Sequence, residues 1–153
     1  MPATFPKTAE VIIIGGGVMG ASCAYHLAKA GVRDIVLLEK EAYFGQGATG
    51  RCAGGVRYQF ATEINIRLSI ASLAMLENFR DDTGVDPAYR QCGYLFVLTR
   101  PEDVKAFERN VELQHQLGVQ TEWLSGDDIR ARLPFMHFKD ALAGTFHAKD
   151  CLL

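Results

Sequence analysis

Residues 10–20 read Glu-Val-Ile-Ile-Ile-Gly-Gly-Gly-Val-Met-Gly, and this stretch decides the fold. The β-branched run Val11–Ile14 is apolar on both faces, which is typical of a parallel strand buried between two layers. The residues from Val18 to Ala30 favour a helix, and Gly31 stands where a left-handed cap belongs. Ile35–Leu38 follows as a second buried strand. We therefore predict one strand–helix–strand unit.

The glycines between the first strand and the helix match the pattern Gly15-x-Gly17-x-x-Gly20. Gly15 permits a tight turn, Gly17 lets a diphosphate approach the main chain, and Gly20 lets the helix pack closely on the strand. The start of the helix offers free N–H groups and positive partial charge to phosphates. The pattern therefore predicts a dinucleotide-binding turn, whose other residues are Gly16, Val18 and Met19.

Glu39 lies at the end of the second strand, where a carboxylate can accept both hydroxyls of an adenosine ribose. Such a carboxylate would repel a 2′-phosphate, so we expect FAD or NAD rather than NADP. Lys40 beside it makes this exclusion incomplete, and it is included among the expected cofactor contacts. The glycine pattern itself is shared by FAD and NAD proteins and leaves that choice open.

Composition excludes several classes of protein. The chain has 153 residues, of which 48% are apolar and 22% charged, and this is a globular composition. The net charge of −2 provides no basic field for nucleic acid. Four widely spaced cysteines predict unpaired thiols in a reducing compartment, and no apolar run predicts a signal peptide or membrane span. We therefore expect a cytoplasmic protein without a metal site.

The rest of the chain alternates between further elements and one unusual loop. The loop, Tyr43 to Gly55, contains five glycines, and long ordered loops are often functional. Two parallel strands cannot bury themselves, so we expect this sequence to be the N-terminal part of a longer protein. The later elements are predicted as a helix over Glu63–Arg80 capped by Thr62, a strand over Tyr89–Thr99, a helix from Pro101 to Leu117, a strand over Thr121–Leu124, a short helix opening at Ser125 and a strand over Ala141–His147.

The glycine segments carry a resemblance to a known family. The first segment with Leu37–Lys40, followed by Gly47–Arg51 and Ala53–Arg57, resembles the D-amino-acid-oxidase-like FAD-dependent oxidoreductases, particularly members such as sarcosine oxidase, glycine oxidase and dimethylglycine dehydrogenase. The resemblance implies an α/β fold: a Rossmann-like FAD-binding domain, incomplete here, over residues 1–88 and the start of an α+β substrate domain over residues 89–153.

The same resemblance implies roles in the second glycine segment. Its small residues would lie against the flavin ring and ribityl chain, and Thr49 would donate a hydrogen bond to FAD. The segment's implied cofactor contacts are Gly47, Ala48, Thr49, Arg51, Gly54 and Gly55. Arg57 falls where family members bind the substrate carboxylate, and a planar guanidinium suits a carboxylate. A surface salt bridge is the competing explanation for Arg57.

The function implied is oxidation of the C–N bond of a small amino acid or N-methyl amino acid, with sarcosine, glycine and proline as types. The cofactor would be FAD, and other subunits are potential partners. None of the four histidines has a partner at ligand spacing, and we assign them no acid–base role. Two alternatives stay open: an NAD-dependent dehydrogenase, and a non-catalytic FAD-binding assembly or chaperone module.

Overall fold

A computed structural model describes residues 6–153. The chain divides into two compact units, of which the first ends at Ala53 and the second spans Gly54–Leu153. The predicted boundary between residues 88 and 89 falls inside the second unit, and as a division of function it stays a prediction.

The first unit contains strand β1 (Val11–Ile14), helix α1 (Val18–Lys29) and strand β2 (Ile35–Leu38). The two strands pair in parallel, with Val11 opposite Ile35. Ala30 caps the helix and Gly31 follows with φ +98°, a left-handed conformation that glycine adopts without strain. The predicted strand–helix–strand unit is therefore confirmed.

Burial in the first unit differs from the expectation that β1 is buried on both faces. Side chains alternate along the strand, and Ile12 and Ile14 are 57% and 87% exposed. The reason is that a single helix covers a single face of the strand pair. Ile13 points towards that helix, because a Cβ added to Gly20 would lie 3.3 Å from its Cγ2 atom.

The helical spacing of apolar residues in the sequence predicts that Met19, Cys23, Leu27 and Ala30 form the packed stripe of α1, and this prediction is wrong in part. Met19 and Cys23 are exposed, whereas the partly buried positions are Gly20, Ala24 and Leu27. The closest approach of helix to strand is made at Gly20, and this contact fixes the rotation of the helix about its axis. Residues four and seven positions further along then face the sheet.

The second unit contains two antiparallel sheets. In the first, strands β3 (Gly55–Val56) and β4 (Arg90–Gln91) flank β8 (Cys151–Leu152). In the second, strands β5 (Tyr94–Leu98) and β6 (Glu122–Ser125) flank β7 (Ala143–His147). The strands predicted near Thr121–Leu124 and Ala141–His147 are therefore confirmed, and the two-residue strand β8 was not predicted.

The single strand predicted over Tyr89–Thr99 is divided between the two sheets. Gly93 breaks it with φ +76°, and a Cβ at that position would overlap the ring of Phe146. Only glycine fits a left-handed turn packed against an aromatic ring. The apolar alternation that predicted one strand does not register such a turn.

Four helices complete the second unit: α2 (Glu63–Glu77), α3 (Phe79–Thr83), α4 (Pro101–Gln116) and α5 (Gly126–Arg132). The helix predicted to reach Arg80 breaks at Asn78, whose side-chain amide donates to the carbonyl oxygen of Ala74 at 2.8 Å. Thr62 is the N-cap residue of α2, but its side chain makes no capping hydrogen bond. Ser125 and Asp128 form a capping box at α5.

The sheet β5–β7–β6 separates two packed layers. On one face Leu124, Ile129 and Ala141 form a buried cluster beneath α5. On the other face Tyr94 and Phe96 lie opposite His147 and Thr145 of β7. Helix α4 covers part of this second face, where Phe96 and Phe107 have ring centroids 5.4 Å apart.

No helix among residues 6–153 is long and apolar enough to cross a bilayer. In the same residues, no group of three or more His, Cys, Asp or Glu side chains is arranged to hold a metal ion.

Ile129 is fully buried between α5 and the sheet, so replacing it should leave a cavity. We expect Ile129→Ala to lower the free energy of unfolding by about 2–5 kcal/mol. The matched control is Ile64→Ala, because Ile64 is 63% exposed on α2. Urea unfolding of both variants measures the difference, and equal effects would contradict this description of the core.

Candidate functional site

The first glycine turn is built on two positions that exclude larger residues. Gly15 has φ +106°, and its N–H donates to the carbonyl oxygen of Leu38 at 2.7 Å. A Cβ on Gly20 would overlap the carbonyl oxygen of Gly15. The turn therefore depends on glycine at both positions for the reasons that the sequence pattern predicted.

Glu39 is folded back on this turn. Its Oε2 atom accepts a hydrogen bond from the N–H of Gly16 at 2.8 Å, and its Oε1 atom accepts from the N–H of Glu41 at 3.0 Å. These main-chain donors, first Glu41 and then Gly16, lower the pKa of the Glu39 carboxyl group. The group is therefore an ionised acceptor at the end of β2. Its predicted contact with a ribose stays a prediction.

The second glycine segment lies directly against the first. The N–H of Gly45 donates to the carbonyl oxygen of Gly16 at 3.0 Å. The N–H of Val18 donates to the hydroxyl oxygen of Thr49 at 3.0 Å. A Cβ on Gly17 would lie 3.0 Å from that same oxygen, so a side chain at this position would force the Thr49 hydroxyl to shift.

The junction of the two segments leaves polar groups available. Among residues 6–153, the main-chain N–H groups of Gly17, Met19 and Gly20 have no hydrogen-bond partner. The Thr49 hydroxyl accepts from Val18 and keeps its own proton for donation. Unsatisfied N–H groups at the start of a helix favour an anionic ligand.

The other predicted contacts of the first unit are exposed. Ala48 precedes a short 3-10 helix, Thr49–Arg51. A Cβ added to Gly47 would meet no atom within 4 Å, so packing within the chain does not explain that glycine. Arg51 forms no ion pair within the described part of the chain, whereas Lys40 lies 3.5 Å from a carboxylate oxygen of Glu41.

In the second unit, Gly54 and Gly55 have a role that the sequence did not reveal. Gly54 has φ +72°, and a Cβ there would overlap the carbonyl oxygen of Leu153. The N–H of Leu153 donates to the carbonyl oxygen of Gly54 at 3.0 Å, and Gly55 pairs with Leu152. Close strand pairing accounts for the glycine at position 54, whereas a Cβ at Gly55 would make only an ordinary contact, 3.8 Å from the ring of Tyr94. The predicted contact of both residues with FAD stays a prediction.

Arg57 lies among aromatic rings. Its guanidinium carbon is 5.4 Å from the ring centroid of Phe60, 5.2 Å from that of Tyr94 and 5.1 Å from that of Phe96. No carboxylate within residues 6–153 forms an ion pair with it, so the competing explanation of a surface salt bridge is not observed. A half-buried guanidinium stabilised by ring faces keeps its hydrogen-bond donors for an anion.

Sequence reasoning missed the polar residues next to Arg57. Asp150 is fully buried and accepts a hydrogen bond from the N–H of Tyr58 at 2.7 Å. The side-chain amide of Gln59 donates both to Asp150, at 2.9 Å, and to the carbonyl oxygen of Tyr94, at 2.9 Å. These residues carry no motif, and only the pairing of strands distant in sequence brings them together.

His147 takes a structural position in the same region. Its ring packs on that of Tyr58 with centroids 4.7 Å apart. Its Nδ1 atom lies 3.2 Å from Oδ1 of Asp150, in an orientation that does not make a hydrogen bond. Burial is the main cause that raises the pKa of the Tyr58 hydroxyl. Tyr58 and His147 are therefore packed residues.

Comparison with known proteins places the chain in context. The sequence profile of the FAD dependent oxidoreductase (DAO) family matches residues 10–152. FAD-dependent oxidoreductase domain-containing protein 1 of Xenopus laevis is 32% identical over 86% of this chain, and dimethylglycine dehydrogenase of Rattus norvegicus is 33% identical over 97% of it. The chain spans 28% and 17% of the lengths of these two relatives.

A solved structure shows the same fold. The crystal structure of L-proline dehydrogenase from P. horikoshii superimposes on 97% of this chain with a TM-score of 0.85 and 32% identity, and the chain covers 38% of that protein. The likeness extends across the mixed α/β fold. The family match also decides between FAD and NAD, which the glycine pattern alone left open. This chain therefore belongs to the DAO family of FAD-dependent oxidoreductases.

Proposed function

We propose that the chain supplies a Rossmann-like FAD-binding turn and a substrate-carboxylate site to an oxidoreductase that acts on the C–N bond of a small amino acid or N-methyl amino acid. The observation that carries this proposal is the junction of the two glycine segments at Thr49, with unpartnered N–H groups beside it. Membership of a FAD-dependent family supports the identity of the cofactor.

The residues of the first unit fit FAD. The N–H groups of Gly17, Met19 and Gly20 would hold its diphosphate, and the Thr49 hydroxyl would donate to one of its oxygens. Glu39 is held as an ionised acceptor, which suits the hydroxyl groups of a ribose. Gly47 leaves its main chain accessible for the same ligand.

Arg57 supports an anionic substrate. The names of two relatives specify dimethylglycine and L-proline, which share a carboxylate and an alkylated amine. A guanidinium can bind such a carboxylate through two parallel hydrogen bonds. The surrounding rings of Phe60, Tyr94 and Phe96 exclude water from one side of the charge, which strengthens that interaction.

The contribution of this chain to catalysis is positioning. FAD, when bound, would supply the redox chemistry of C–N bond oxidation as the acceptor of the substrate's electrons. Arg57 would fix the carboxylate and so orient that carbon, and orientation of reacting groups accounts for a large part of many rate enhancements. We assign no general base among the described residues.

The first experiment identifies the substrate class. We expect the full-length protein, loaded with FAD and kept anaerobic, to lose its flavin absorption on addition of one of sarcosine, N,N-dimethylglycine, L-proline or glycine. The absorption of the oxidised flavin should return when oxygen or an artificial electron acceptor is admitted. A protein that holds FAD but is bleached by none of them would favour the non-catalytic assembly module.

A second experiment tests the turn. Gly17→Val should raise the dissociation constant of FAD by roughly 100-fold, because a branched side chain would displace Thr49 and lose charge-assisted hydrogen bonds to phosphate. Fluorescence titration with FAD measures this change, and circular dichroism checks the fold. Unchanged affinity in a folded Gly17→Val protein would remove the turn from the cofactor site.

A third experiment tests Arg57. Arg57→Met should raise the dissociation constant of the substrate found above by roughly 100-fold while FAD content stays unchanged, since a bidentate charged contact is lost. Arg57→Lys should recover part of the affinity, because it restores the charge without the planar pair of donors. Wild-type substrate affinity in Arg57→Met would show that the carboxylate binds elsewhere.

A further inference from the structure

Asp150 is a buried carboxylate that the proposed function does not use. It is fully buried, and no lysine or arginine within residues 6–153 forms an ion pair with it, although Nδ1 of His147 lies 3.2 Å from its Oδ1 atom without making a hydrogen bond. Removing a carboxylate from water is costly unless hydrogen bonds replace its hydration. The contacts of Asp150 therefore have to account for its presence at this position.

Both oxygens of Asp150 are engaged by the segment that carries Arg57. The Oδ1 atom accepts from the main-chain N–H of Tyr58 at 2.7 Å, and Tyr58 is the residue next to Arg57. The Oδ2 atom accepts from the side-chain amide of Gln59 at 2.9 Å. The carboxylate thus fixes the main chain immediately after the guanidinium-bearing residue.

The same amide extends the link to the rings around Arg57. Nε2 of Gln59 carries two hydrogens, and its other acceptor is the carbonyl oxygen of Tyr94 at 2.9 Å. The ring of Tyr94 is one of those that contact the Arg57 guanidinium. Asp150 and Gln59 together therefore set the distance between the Arg57 segment and strand β5.

We propose that Asp150 is a positioning residue for the Arg57 site, which it holds in place through the N–H of Tyr58 and the side-chain amide of Gln59. The inference rests on the proposed function, because it assumes that Arg57 binds a carboxylate. Asp150 would not touch the substrate, and its effect would pass through Arg57 alone.

A carboxylate is specifically required for this arrangement. In Asp150→Asn, one side-chain oxygen can still accept from Tyr58, but the new NH2 group would face the NH2 group of Gln59. If the Gln59 amide rotates to accept from residue 150, its donor no longer reaches Tyr94. The isosteric change therefore breaks one of the two links while leaving side-chain volume nearly constant.

Independent contacts should keep the Asp150→Asn variant folded. The side-chain amide of Gln114 donates to the carbonyl oxygen of Phe60 at 2.9 Å, which secures the same segment from α4. The main-chain carbonyl of Asp150 accepts from the N–H of Gly93 at 2.9 Å and does not depend on the side chain.

The test uses full-length protein loaded with FAD and two probes of equal size. Propionate carries the carboxylate but no amine to be oxidised, and propionamide is its uncharged counterpart; both are titrated against the visible flavin spectrum. Asp150→Asn should raise the dissociation constant of propionate about tenfold and leave that of propionamide within about twofold. Asp140→Asn, at an exposed position, is the matched control and should change neither.

A structural role alone would weaken both probes equally, and that result, or an unchanged propionate constant, would overturn the proposal. If Asp150→Asn does not fold, Gln59→Met gives the same test, because it removes the donor that joins Asp150 to Tyr94. Arg57→Met separates the two hypotheses. If Arg57→Met loses affinity for propionate while Asp150→Asn and Gln59→Met keep it, only the positioning role of Asp150 is wrong. If Arg57→Met keeps wild-type affinity for propionate, Arg57 does not bind the carboxylate, and the positioning role of Asp150 is wrong as well.

Discussion

The two glycine segments are joined by the hydrogen bond from the N–H of Val18 to the hydroxyl oxygen of Thr49, two residues that are 31 positions apart in sequence. A side chain at Gly17 would crowd the Thr49 hydroxyl, and the junction is reinforced where the N–H of Gly45 donates to the carbonyl oxygen of Gly16. Everything proposed for the cofactor depends on this junction. It places a helix start with unsatisfied N–H groups next to a hydroxyl group that can still donate.

In the second unit, Arg57 has no carboxylate partner among residues 6–153. Aromatic rings stabilise the Arg57 guanidinium through their π faces, and this interaction leaves its planar set of donors unused. A neighbouring carboxylate would instead have satisfied the donors within the chain. Asp150, a fully buried charged residue beside this segment, contacts the main chain and an amide rather than the guanidinium.

Local patterns predicted the first unit well because its determinants are local. A β-branched run, a glycine turn and a helix ended by Gly31 follow one another in sequence, and each acts within a few residues. The pattern did not predict which face of α1 packs, since that depends on the close contact at Gly20. Nor did it predict the split of the strand at Gly93, which follows from the ring of Phe146 some 50 residues later.

The candidate site was predictable to a similar degree. Gly15, Gly17, Gly20 and Glu39 follow from a spacing with a physical mechanism, whereas Arg57 was identified through family resemblance. Asp150 and Gln59 could not be found, because their relation to Arg57 exists only once β8 pairs with β3. At Gly54, close strand pairing explains a glycine for which the resemblance implied a contact with FAD.

The affinity of Thr49 variants for FAD measures what the junction of the two glycine segments contributes to cofactor binding. Thr49→Ser keeps the hydroxyl that joins the two segments, and Thr49→Val keeps the shape of the side chain but removes the acceptor and donor. In the full-length protein we predict near wild-type FAD affinity for the serine variant and a loss of about tenfold or more for the valine variant. Equal affinities in the two variants would contradict a cofactor site built on this junction.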